Sequence, residues 1–334
     1  MFNRKRDIQF PIITKITIPY AILALLIAVG GSYLITNVII DSVEERFTNQ
    51  LIETAFLASE SIVRKEEDLL EQLRTISHLQ GIGEAIQNGE ASQVRSLAIP
   101  SAYNADIQAV VILSQQGRVL MQVFLNEETL NFETLVLDDT WIEALFIQQV
   151  LAGSVDESGD KYSGIVSGQG ADYLFVAGPV LSSTEEVLGT VLVGQSMGHL
   201  MDSLREETFA QLSYYTEDGQ ARVSTLTESQ SISTELASAV ISSQGEETAV
   251  REFTDNAITY EEIVTPFQVR DGVDVGLLGV ALPTSFIMQT NQITRTNTLI
   301  LMSVILFLVV VIGIYTAGQI TKPILELKDA AKQV

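Results

Sequence analysis

The sequence predicts an α+β protein in which a long N-terminal helix leads into two antiparallel-sheet modules in tandem, flanked by two transmembrane helices. Three observations predict this arrangement: an uncharged apolar block near each end of the chain, a helical periodicity after the first block, and a pattern of strands, turns and a short helix that occurs twice. The mean hydropathy is +0.27 although 18% of the 334 residues are charged, so the apolar residues are concentrated in particular segments.

Both apolar blocks are long enough to cross a membrane. Residues 16–40 and 298–317 contain no charged residue, and as helices they would be roughly 37 Å and roughly 30 Å long. A cleavable signal peptide is the alternative for the first block. Its apolar run, however, exceeds the usual length of about 7–15 residues, and no A-x-A-like cleavage site follows it. We therefore interpret 16–40 as an uncleaved anchor and 298–317 as a second span.

The distribution of charge predicts the orientation of the chain. Residues 1–15 carry a net charge of +3, residues 318–334 carry +1, and residues 41–297 carry −27, which accounts for the −23 of the whole chain. Positive flanks remain in the cytoplasm, whereas a long acidic segment is translocated regardless of its charge. This predicts a two-pass protein of the cell (inner) membrane with both ends cytoplasmic. Nucleic-acid binding is excluded, because phosphate contacts require a basic surface.

No catalytic or metal-binding constellation is recognisable in the sequence. The chain has no cysteine and two histidines, His78 and His199, which lack the spacing of a metal site. Motifs for nucleophilic catalysis and phosphate binding are missing as well. Acidic pairs such as Glu261–Glu262 are interpreted as part of the general acidity. We therefore predict no enzymatic activity, no cofactor and no metal site in this chain.

A helix is predicted to continue from the first span over residues 41–80. Residues 41–79 include neither proline nor glycine, and apolar residues recur mostly in steps of three, four or seven, which is typical of one helix face. The segment 64–68, RKEED, interrupts this periodicity. A continuous helix of this length would extend roughly 58 Å. We interpret it as a signalling stalk, and a long surface helix is the alternative.

Strand and turn signals predict two similar modules after the stalk. The first is predicted to contain a hairpin, a helix ending at Gly153 and two strands, at 107–125, 138–153, 171–181 and 187–196. The second repeats this order with a hairpin, a helix and two strands, at 211–225, 233–243, 258–269 and 274–283.

The two modules also share three residues at a constant offset. Counterparts lie 87 residues apart in the pairs Tyr173 and Tyr260, Pro179 and Pro266, and Gly189 and Gly276. Together with the matching strand pattern, this offset predicts an internal structural repeat.

Two tandem modules on a long helix between two spans resemble the double Cache family, whose paired PAS-like domains form the outer part of many bacterial receptors. The resemblance covers about residues 41–297. It implies that the module at 81–200 is membrane-distal and that the module at 201–297 is membrane-proximal. In this family the distal module usually holds the ligand.

Five residues of the first module are candidates for binding an extracytoplasmic small molecule. Ligand pockets are mostly apolar with a few placed polar groups, and the candidates are accordingly aromatic or cationic: Tyr103, Arg118, Trp141, Tyr162 and Tyr173. For each ring the alternative is an ordinary place in the core. The aromatic, arginine and aspartate signature of amino-acid-binding relatives does not fit this sequence, so an amino-acid ligand is not implied.

The segment after the second span has the pattern of a paired helix. Spacings of 4, 3, 4 and 3 residues, as in an a/d seam, separate Ile320, Ile324, Leu327, Ala331 and Val334. Pro323 is expected where a helix restarts after the membrane. Residues 318–334 resemble the first helix of a HAMP domain, which implies a role in signal relay. A membrane-proximal amphipathic helix is the alternative.

Together these features predict the sensory half of a homodimeric bacterial transmembrane receptor. A small molecule bound outside would shift the modules between two conformations, and the shift would pass through the second span to residues 318–334. The resemblance implies that an effector follows, either a histidine kinase, a nucleotide cyclase or a chemoreceptor output domain. The alternative is a surface-anchored structural or adhesion protein without ligand-driven signalling.

Overall fold

The computed structural model describes residues 12–105, 107–126, 128–138, 140–168, 170–242 and 249–331. The chain divides into two compact units, Met1–Asn49 with Ser285–Val334, and Gln50–Thr284. The helices are α1 (Ile12–Ser77), α2 (Ile82–Asn88), α3 (Ala91–Asn104), α4 (Leu145–Leu151), α5 (Met197–Thr208), α6 (Thr234–Ser242) and α7 (Ser285–Ala331). Short 3-10 helices occupy Trp141–Glu143 and Arg270–Gly272.

Helix α1 contains both the first apolar block and the predicted stalk. The predicted periodicity is confirmed beyond Gln50, since one face of the helix is almost completely buried at Leu51, Ala58, Ile62 and Leu73. The RKEED segment does not interrupt this face, because Glu66 is itself only 7% exposed. The apparent interruption in the sequence is therefore a buried polar position. The helix ends at Ser77, three residues before the predicted end of the stalk.

The first module contains an antiparallel sheet with the strand order β3-β2-β1-β6-β5-β4. Its strands are β1 (Ala109–Ser114), β2 (Val119–Asn126), β3 (Asn131–Thr134), β4 (Tyr162–Ser167), β5 (Asp172–Leu181) and β6 (Val187–Ser196). The predicted hairpin is confirmed: β1 and β2 join at a turn in which Gly117 has a φ of +76°, a conformation that favours glycine. The predicted strands at 171–181 and 187–196 coincide with β5 and β6 to within one residue.

Alternate residues of this sheet belong to two separate cores, as the two-residue period of a strand requires. Val110 and Ile112 pack into the core that includes residues of α1, α2 and α3. Val111 and Leu113 pack into the opposite core, which includes residues of α4 and the first 3-10 helix. The sheet is therefore buried on both faces. One face packs against the long helix α1 together with α2 and α3, and the other packs against the short α4 and the first 3-10 helix.

The predicted helix over 138–153 is wrong as a single element. The 3-10 helix Trp141–Glu143 and α4 are separated at Ala144, where ψ is +135° and the chain is extended. Trp141 and Phe146 are both buried against the sheet. On one continuous helix they would point about 140° apart, since each residue turns the helix by about 100°. The break at Ala144 allows both rings to face the sheet.

The second module contains an antiparallel sheet with the strand order β8-β7-β11-β10-β9. Its strands are β7 (Gln211–Tyr215), β8 (Ala221–Ser224), β9 (Ala249–Asp255), β10 (Ile258–Val269) and β11 (Val273–Pro283). The repeat is confirmed in three dimensions by the register of the paired strands. Pro179 lies opposite Thr190 in the first module, and Pro266 lies opposite Leu277 in the second, each 87 residues later.

Helix α7 contains the second apolar block. Among the residues that the structure describes, Leu299–Ile320 is the segment long and apolar enough to cross a membrane, with a mean hydropathy of 2.9. The expected restart at Pro323 is wrong, because α7 continues through this residue to Ala331. A proline removes one backbone hydrogen bond, which does not end a helix of this length. Of the predicted seam, Ile320 is exposed, while Val334 and the side chains of Ile324, Leu327 and Ala331 lie outside the described residues.

Candidate ligand-binding site

The candidate site is the face of the first sheet that lies beneath α4. The opposite face packs against α1 and two further helices, whereas this face is covered by the three-residue helix Trp141–Glu143 and the seven-residue α4. Short segments joined by an extended residue can move with the loss of few contacts. On this face the sheet is therefore covered only by two short helical segments, the 3-10 helix Trp141–Glu143 and α4.

The floor of this face contains a row in which one phenylalanine stands between residues with little or no side chain. Neighbouring strands place Gly164, Phe175, Gly194 and Ala109 directly beside one another. A Cβ atom added to Gly194 would lie 2.5 Å from Cδ1 of Phe175, and one added to Gly164 would lie 2.6 Å from Cε1 of Phe146. The two aromatic rings therefore lie directly on the backbone of the sheet, in space that the glycines leave open.

Three of the five predicted residues meet on this face. Trp141, Tyr162 and Tyr173 belong to one buried cluster together with Phe146 and Phe175. The rings of Tyr173 and Phe175 are tilted by 30° with their centroids 6.0 Å apart. The structure thus brings these three residues into one aromatic layer, and their part in ligand binding stays a prediction.

The other two predicted residues lie elsewhere in the module. Tyr103 is on α3, where its hydroxyl donates to the carbonyl oxygen of Leu130 at 3.1 Å and its ring packs edge-on against Phe132 at 4.8 Å. Arg118 follows the β1–β2 turn, and its guanidinium lies against Gly89 at the end of α2. Both belong to the side of the sheet that carries α2 and α3, because Phe132 and α2 contribute to that core.

One polar atom beneath α4 has no hydrogen-bond partner among the described residues. Thr190 is completely buried, and its Oγ1 accepts and donates no hydrogen bond there. Thr190 pairs with Leu113 of β1, so its side chain shares the face of the α4 cluster. A buried hydroxyl without a partner costs about 1–3 kcal/mol. This atom is available to a polar group of a bound molecule.

An open cleft adjoins the same face at the edge strand β4. It has a volume of about 410 Å³ and is lined mainly by apolar and aromatic side chains from both modules, including Phe146, Tyr162, Tyr214 and Val275. Phe146 and Tyr162 line both the cleft and the aromatic layer beneath α4. A small molecule could therefore reach that layer from solvent by displacing the ring of Phe146 from Gly164.

An ion pair between a buried carboxylate and an exposed guanidinium joins the two modules, since the side chain of Asp172 is 4% exposed and that of Arg222 is 45% exposed. Nε and Nη2 of Arg222 on β8 donate to the two carboxylate oxygens of Asp172 at 2.9 Å and 2.8 Å. Burial raises the pKa of Asp172, but the hydrogen bonds from Arg222 and Ser167 and the charge of Arg222 outweigh it, so the pKa lies below its ordinary value. Asp172 precedes Tyr173 in β5, so its side chain lies on the opposite face of the sheet from the aromatic layer.

A second polar contact joins both modules to the stalk. The carboxylate of Glu66 on α1 accepts from the hydroxyl of Ser163 on β4 and, at 3.1 Å, from the backbone N–H of Arg270 after β10. The guanidinium of Arg270 donates in turn to the carbonyl oxygen of Ser158 in the first module. A single stalk residue therefore contacts both modules at the same point.

The corresponding face of the second module is occupied by a charged network beneath α6. Glu262 is completely buried, and it accepts from the hydroxyl of Tyr215 at 2.7 Å and from Nε of Arg251 at 2.5 Å. Arg251 also donates to the carbonyl oxygens of Gln230 and Ser231. Burial raises the pKa of Glu262 despite the nearby charge of Arg251. The interpretation of Glu261–Glu262 as part of the general acidity is therefore wrong for Glu262, which has a specific place in this network.

Several of these residues were not predicted from the sequence. Asp172 and Arg222 are 50 residues apart in different modules, and Glu66 and Arg270 are separated by 204. Only the fold brings them together. For Glu262, however, the sequence contained a signal. Glu262 lies 87 residues after Phe175, so the offset of the repeat aligns this carboxylate with a phenylalanine that is buried in the first module.

The comparisons with known proteins agree with this architecture. Residues 44–287 match dCache_3, the double sensory domain of two-component sensor kinases. No curated protein matches the chain. Among solved structures, methyl-accepting chemotaxis protein X has a TM-score of 0.52 at 14% identity, covering 72% of this chain and 99% of its own. This similarity shows a shared fold.

Two further solved structures are similar at lower TM-scores. The domain of a sensory box/GGDEF family protein from Vibrio parahaemolyticus has a TM-score of 0.49 at 10% identity, covering 73% of this chain and 96% of its own. The ligand-binding domain of the Pseudomonas fluorescens chemoreceptor CtaA, in complex with L-isoleucine, has 0.47 at 15% identity, covering 75% and 98%. The family match covers residues 44–287, which is well above half of the chain, and this chain therefore belongs to the dCache_3 family of double sensory domains.

Proposed function

We propose that this chain is the sensory half of a bacterial transmembrane receptor, and that its first module binds a small extracytoplasmic molecule beneath α4. The observation that carries this proposal is the face at Gly164 and Gly194, where the rings of Phe146 and Phe175 lie against the glycines, together with the Thr190 hydroxyl, which has no hydrogen-bond partner among the described residues. Membership of a sensory family supports it. We propose Trp141, Tyr162 and Tyr173 as ligand contacts and leave Tyr103 and Arg118, on the other side of the sheet, outside the site.

The lining of the site indicates the class of ligand. Aromatic rings and a backbone floor favour a flat or compact apolar group, and one hydroxyl and the polar rim of the cleft fix a small polar group. The exterior of the chain carries a net charge of −27, which disfavours strongly anionic ligands. The proposed ligand is therefore a small, largely apolar metabolite with one or two polar groups.

The proposed signal path leads from this site to the cytoplasm. The chain would cross the membrane at 16–40 and at 298–317, with 1–15 and 318–334 inside, as the charge distribution favours. A change in the modules would reach the HAMP-like residues 318–334 through the second span, in a homodimer, and act on an effector such as a histidine kinase, a nucleotide cyclase or a chemoreceptor output domain. Protease added to intact cells should degrade residues 41–297, and protection of these residues would contradict the topology.

A thermal-shift screen of the intact chain in detergent tests the ligand proposal. A compound that binds only the folded state raises the melting temperature with its concentration. Tyr173 and Tyr260 occupy equivalent register positions in the two modules, so Tyr173→Leu and Tyr260→Leu form a matched pair. Tyr173→Leu should weaken the shift by at least tenfold in concentration, and Tyr260→Leu should leave it unchanged. A compound affected only by Tyr260→Leu would assign the site to the second module instead.

A further inference from the structure

The guanidinium of Arg251 on β9 is enclosed by polar groups of the second module. Its Nε donates to Oε2 of Glu262 at 2.5 Å, and its Nη2 donates to the hydroxyl of Tyr215 at 3.0 Å. The carbonyl oxygens of Gln230 and Ser231 accept from Nη2 and Nη1 at 3.0 Å and 3.1 Å. All three guanidinium nitrogens are therefore bound, by acceptors from β7, β10 and the segment that follows β8.

Two aromatic rings lie over the same guanidinium. Its central carbon is 5.1 Å from the ring centroid of Phe253 and 5.7 Å from that of Tyr215. A cation within about 6 Å of a ring centroid is attracted by the negative face of the ring. The rings and the acceptors together form a guanidinium cage, which consists of Tyr215, Phe253, Glu262 and the carbonyl groups of Gln230 and Ser231.

A glycine leaves the space in which this cage is built. A Cβ atom added to Gly279 on β11 would lie 2.7 Å from Cε2 of Tyr215 and would overlap with Oε1 of Glu262. A glycine inside a strand often marks the close approach of another group. The carboxylate and the phenol ring therefore lie directly against the backbone of the sheet.

The chemistry of the cage defines the group that fills it. Glu262 is completely buried, whereas the side chain of Arg251 is 18% exposed. A buried carboxylate is costly unless a cation and hydrogen bonds compensate for it, so the cage requires a cation. Four acceptors in fixed positions and two ring faces fit a planar guanidinium, whereas an ammonium group is a compact charge with three donors.

The filled cage also holds a segment of the chain in place. Residues 225–233 connect β8 to α6 without helix or strand, and both carbonyl groups bound by Arg251 belong to this segment. Asp255, at the end of the same strand as Arg251, accepts from the backbone N–H of Thr227 at 3.0 Å. Strand β9 thus fixes the segment on the sheet, and Arg251 supplies the charged contact.

We propose that the second module contains a binding site selective for a guanidinium group, and that Arg251 fills this site as a tethered ligand. The inference goes beyond the proposed function, which assigns a ligand to the first module. Because the occupant is covalently attached, residues 225–233 stay closed on the sheet without any small molecule. The cage accepts a free guanidinium compound once the side chain of Arg251 is removed.

Chemical rescue of Arg251→Ala in the full chain, purified in detergent, tests the proposal. The fragment that this substitution removes corresponds to ethylguanidinium, which is therefore the probe. At ten times its dissociation constant, a compound that binds only the folded state should raise the melting temperature of this variant by about 3–6 °C. Ethylguanidinium should cause this rise, whereas ethylurea, which has a similar shape but no charge, should not. Equal shifts with the two compounds, or no shift with ethylguanidinium, would overturn the proposal.

Two further measurements assign the rescue to the cage. The wild-type chain, in which the site is filled, should not respond to ethylguanidinium. Arg251→Ala combined with Glu262→Gln should need at least tenfold more of the compound, because the cage has lost its charge. A rise of the same size in the wild-type chain, or an unchanged response of the double variant, would overturn the proposal.

Arg251→Lys provides a test that holds even where Arg251→Ala does not fold. Lysine keeps the charge, but a single ammonium group cannot bind all four acceptors, so the melting temperature should fall by several degrees. Arg205→Lys is the control, since Arg205 forms an exposed pair with Asp202, and it should melt like the wild-type chain. Equal melting temperatures of the two lysine variants would overturn the proposal. These readouts do not involve the face beneath α4, so failure of the cage and failure of the ligand screen are distinguishable.

Discussion

The two modules use the same strand register to build opposite interiors. In the first, the row beneath α4 reads Gly164, Phe175 and Gly194 across neighbouring strands. In the second, 87 residues later, the row across β9, β10 and β11 reads Arg251, Glu262 and Ala281. A ring between two glycines is thus replaced by a carboxylate paired with an arginine.

This difference indicates which of the two interiors can accommodate a ligand. The rings of the first module make contacts without a preferred direction, and each contact is weak, so a ligand can replace them at modest cost. In the second module, directional, charge-assisted hydrogen bonds join Glu262, which is completely buried, to Tyr215 and to Arg251, whose side chain is 18% exposed. Displacing Arg251 leaves the carboxylate of Glu262 buried without its cation. The second interior is therefore fixed and the first is adaptable.

The largest effect is expected from breaking the charged row. Arg251→Ala should destabilise the folded chain by about 3–5 kcal/mol, because Glu262 would remain buried without its cation. Thermal unfolding in detergent should show a melting temperature lower by about 10 °C. The double variant Arg251→Met with Glu262→Leu is the control, and it should recover most of the loss since no unpaired charge remains. A loss in stability below about 1 kcal/mol for Arg251→Ala would contradict this, because it would mean that Glu262 does not depend on the charge of Arg251.

A smaller loss is expected at the floor of the first module. In Gly194→Ala the added Cβ would lie 2.5 Å from Cδ1 of Phe175 and 2.9 Å from the carbonyl oxygen of Leu174, and such overpacking costs about 1–3 kcal/mol. The second module already has alanine at the equivalent position. Ala281→Gly should therefore cost only about 0.5–1 kcal/mol, through backbone entropy. Equal costs for the two variants, measured by urea unfolding, would contradict the difference between the two floors.

The sequence was sufficient to predict the elements that have local signals. The hairpins at Gly117 and Gly219 follow from glycines between β-rich runs, and both glycines have a positive φ in the structure. The 87-residue offset follows from the matching tyrosine, proline and glycine of the strand pairs β5–β6 and β10–β11. These features depend on neighbours in the chain, so periodicity and turn chemistry reveal them.

The features that the sequence did not reveal depend on partners far along the chain. The break at Ala144 exists because two rings must reach one sheet. The burial of Glu66 depends on Ser163 and Arg270, which are 97 and 204 residues away. In both cases the residue types are ordinary, and the fold alone creates the contact. Buried polar pairs of this kind have no periodic signal.

The two carboxylates also predict opposite responses to pH. Glu262 has a raised pKa in the folded chain, so its contribution to stability declines as the pH rises from the ordinary carboxylate range through that raised value. Asp172 has a lowered pKa, so its contribution is present above the ordinary value of 3.8 and declines as the pH falls through the lowered one. Each proton contributes a slope of at most about 1.4 kcal/mol per pH unit.

Melting temperatures between pH 3 and pH 8 should separate the two groups. Relative to the wild-type chain, Glu262→Gln should gain stability as the pH rises, and Asp172→Asn should lose stability over the same change. The two variants are charge-matched, so each serves as the control of the other. Parallel profiles would mean that the two carboxylates titrate alike.

The smallest effect on stability is expected at Thr190, and it has the opposite sign to the others. Thr190→Val replaces a buried hydroxyl that has no partner among the described residues by a methyl group of similar size, so the ligand-free chain should gain about 1 kcal/mol and melt about 2–4 °C higher. Thr265→Val in the second module removes another buried, unpartnered hydroxyl and should stabilise similarly.

The two variants should differ in ligand affinity, because Thr190 lies on the face of the first sheet that packs against α4, whereas Thr265 lies in the second module. Thr190→Val should weaken binding of a stabilising compound about tenfold, while Thr265→Val leaves it unchanged. Equal affinity in both variants would show that the hydroxyl of Thr190 contacts no ligand, and the polar end of the proposed site would then lie in the cleft beside Tyr162.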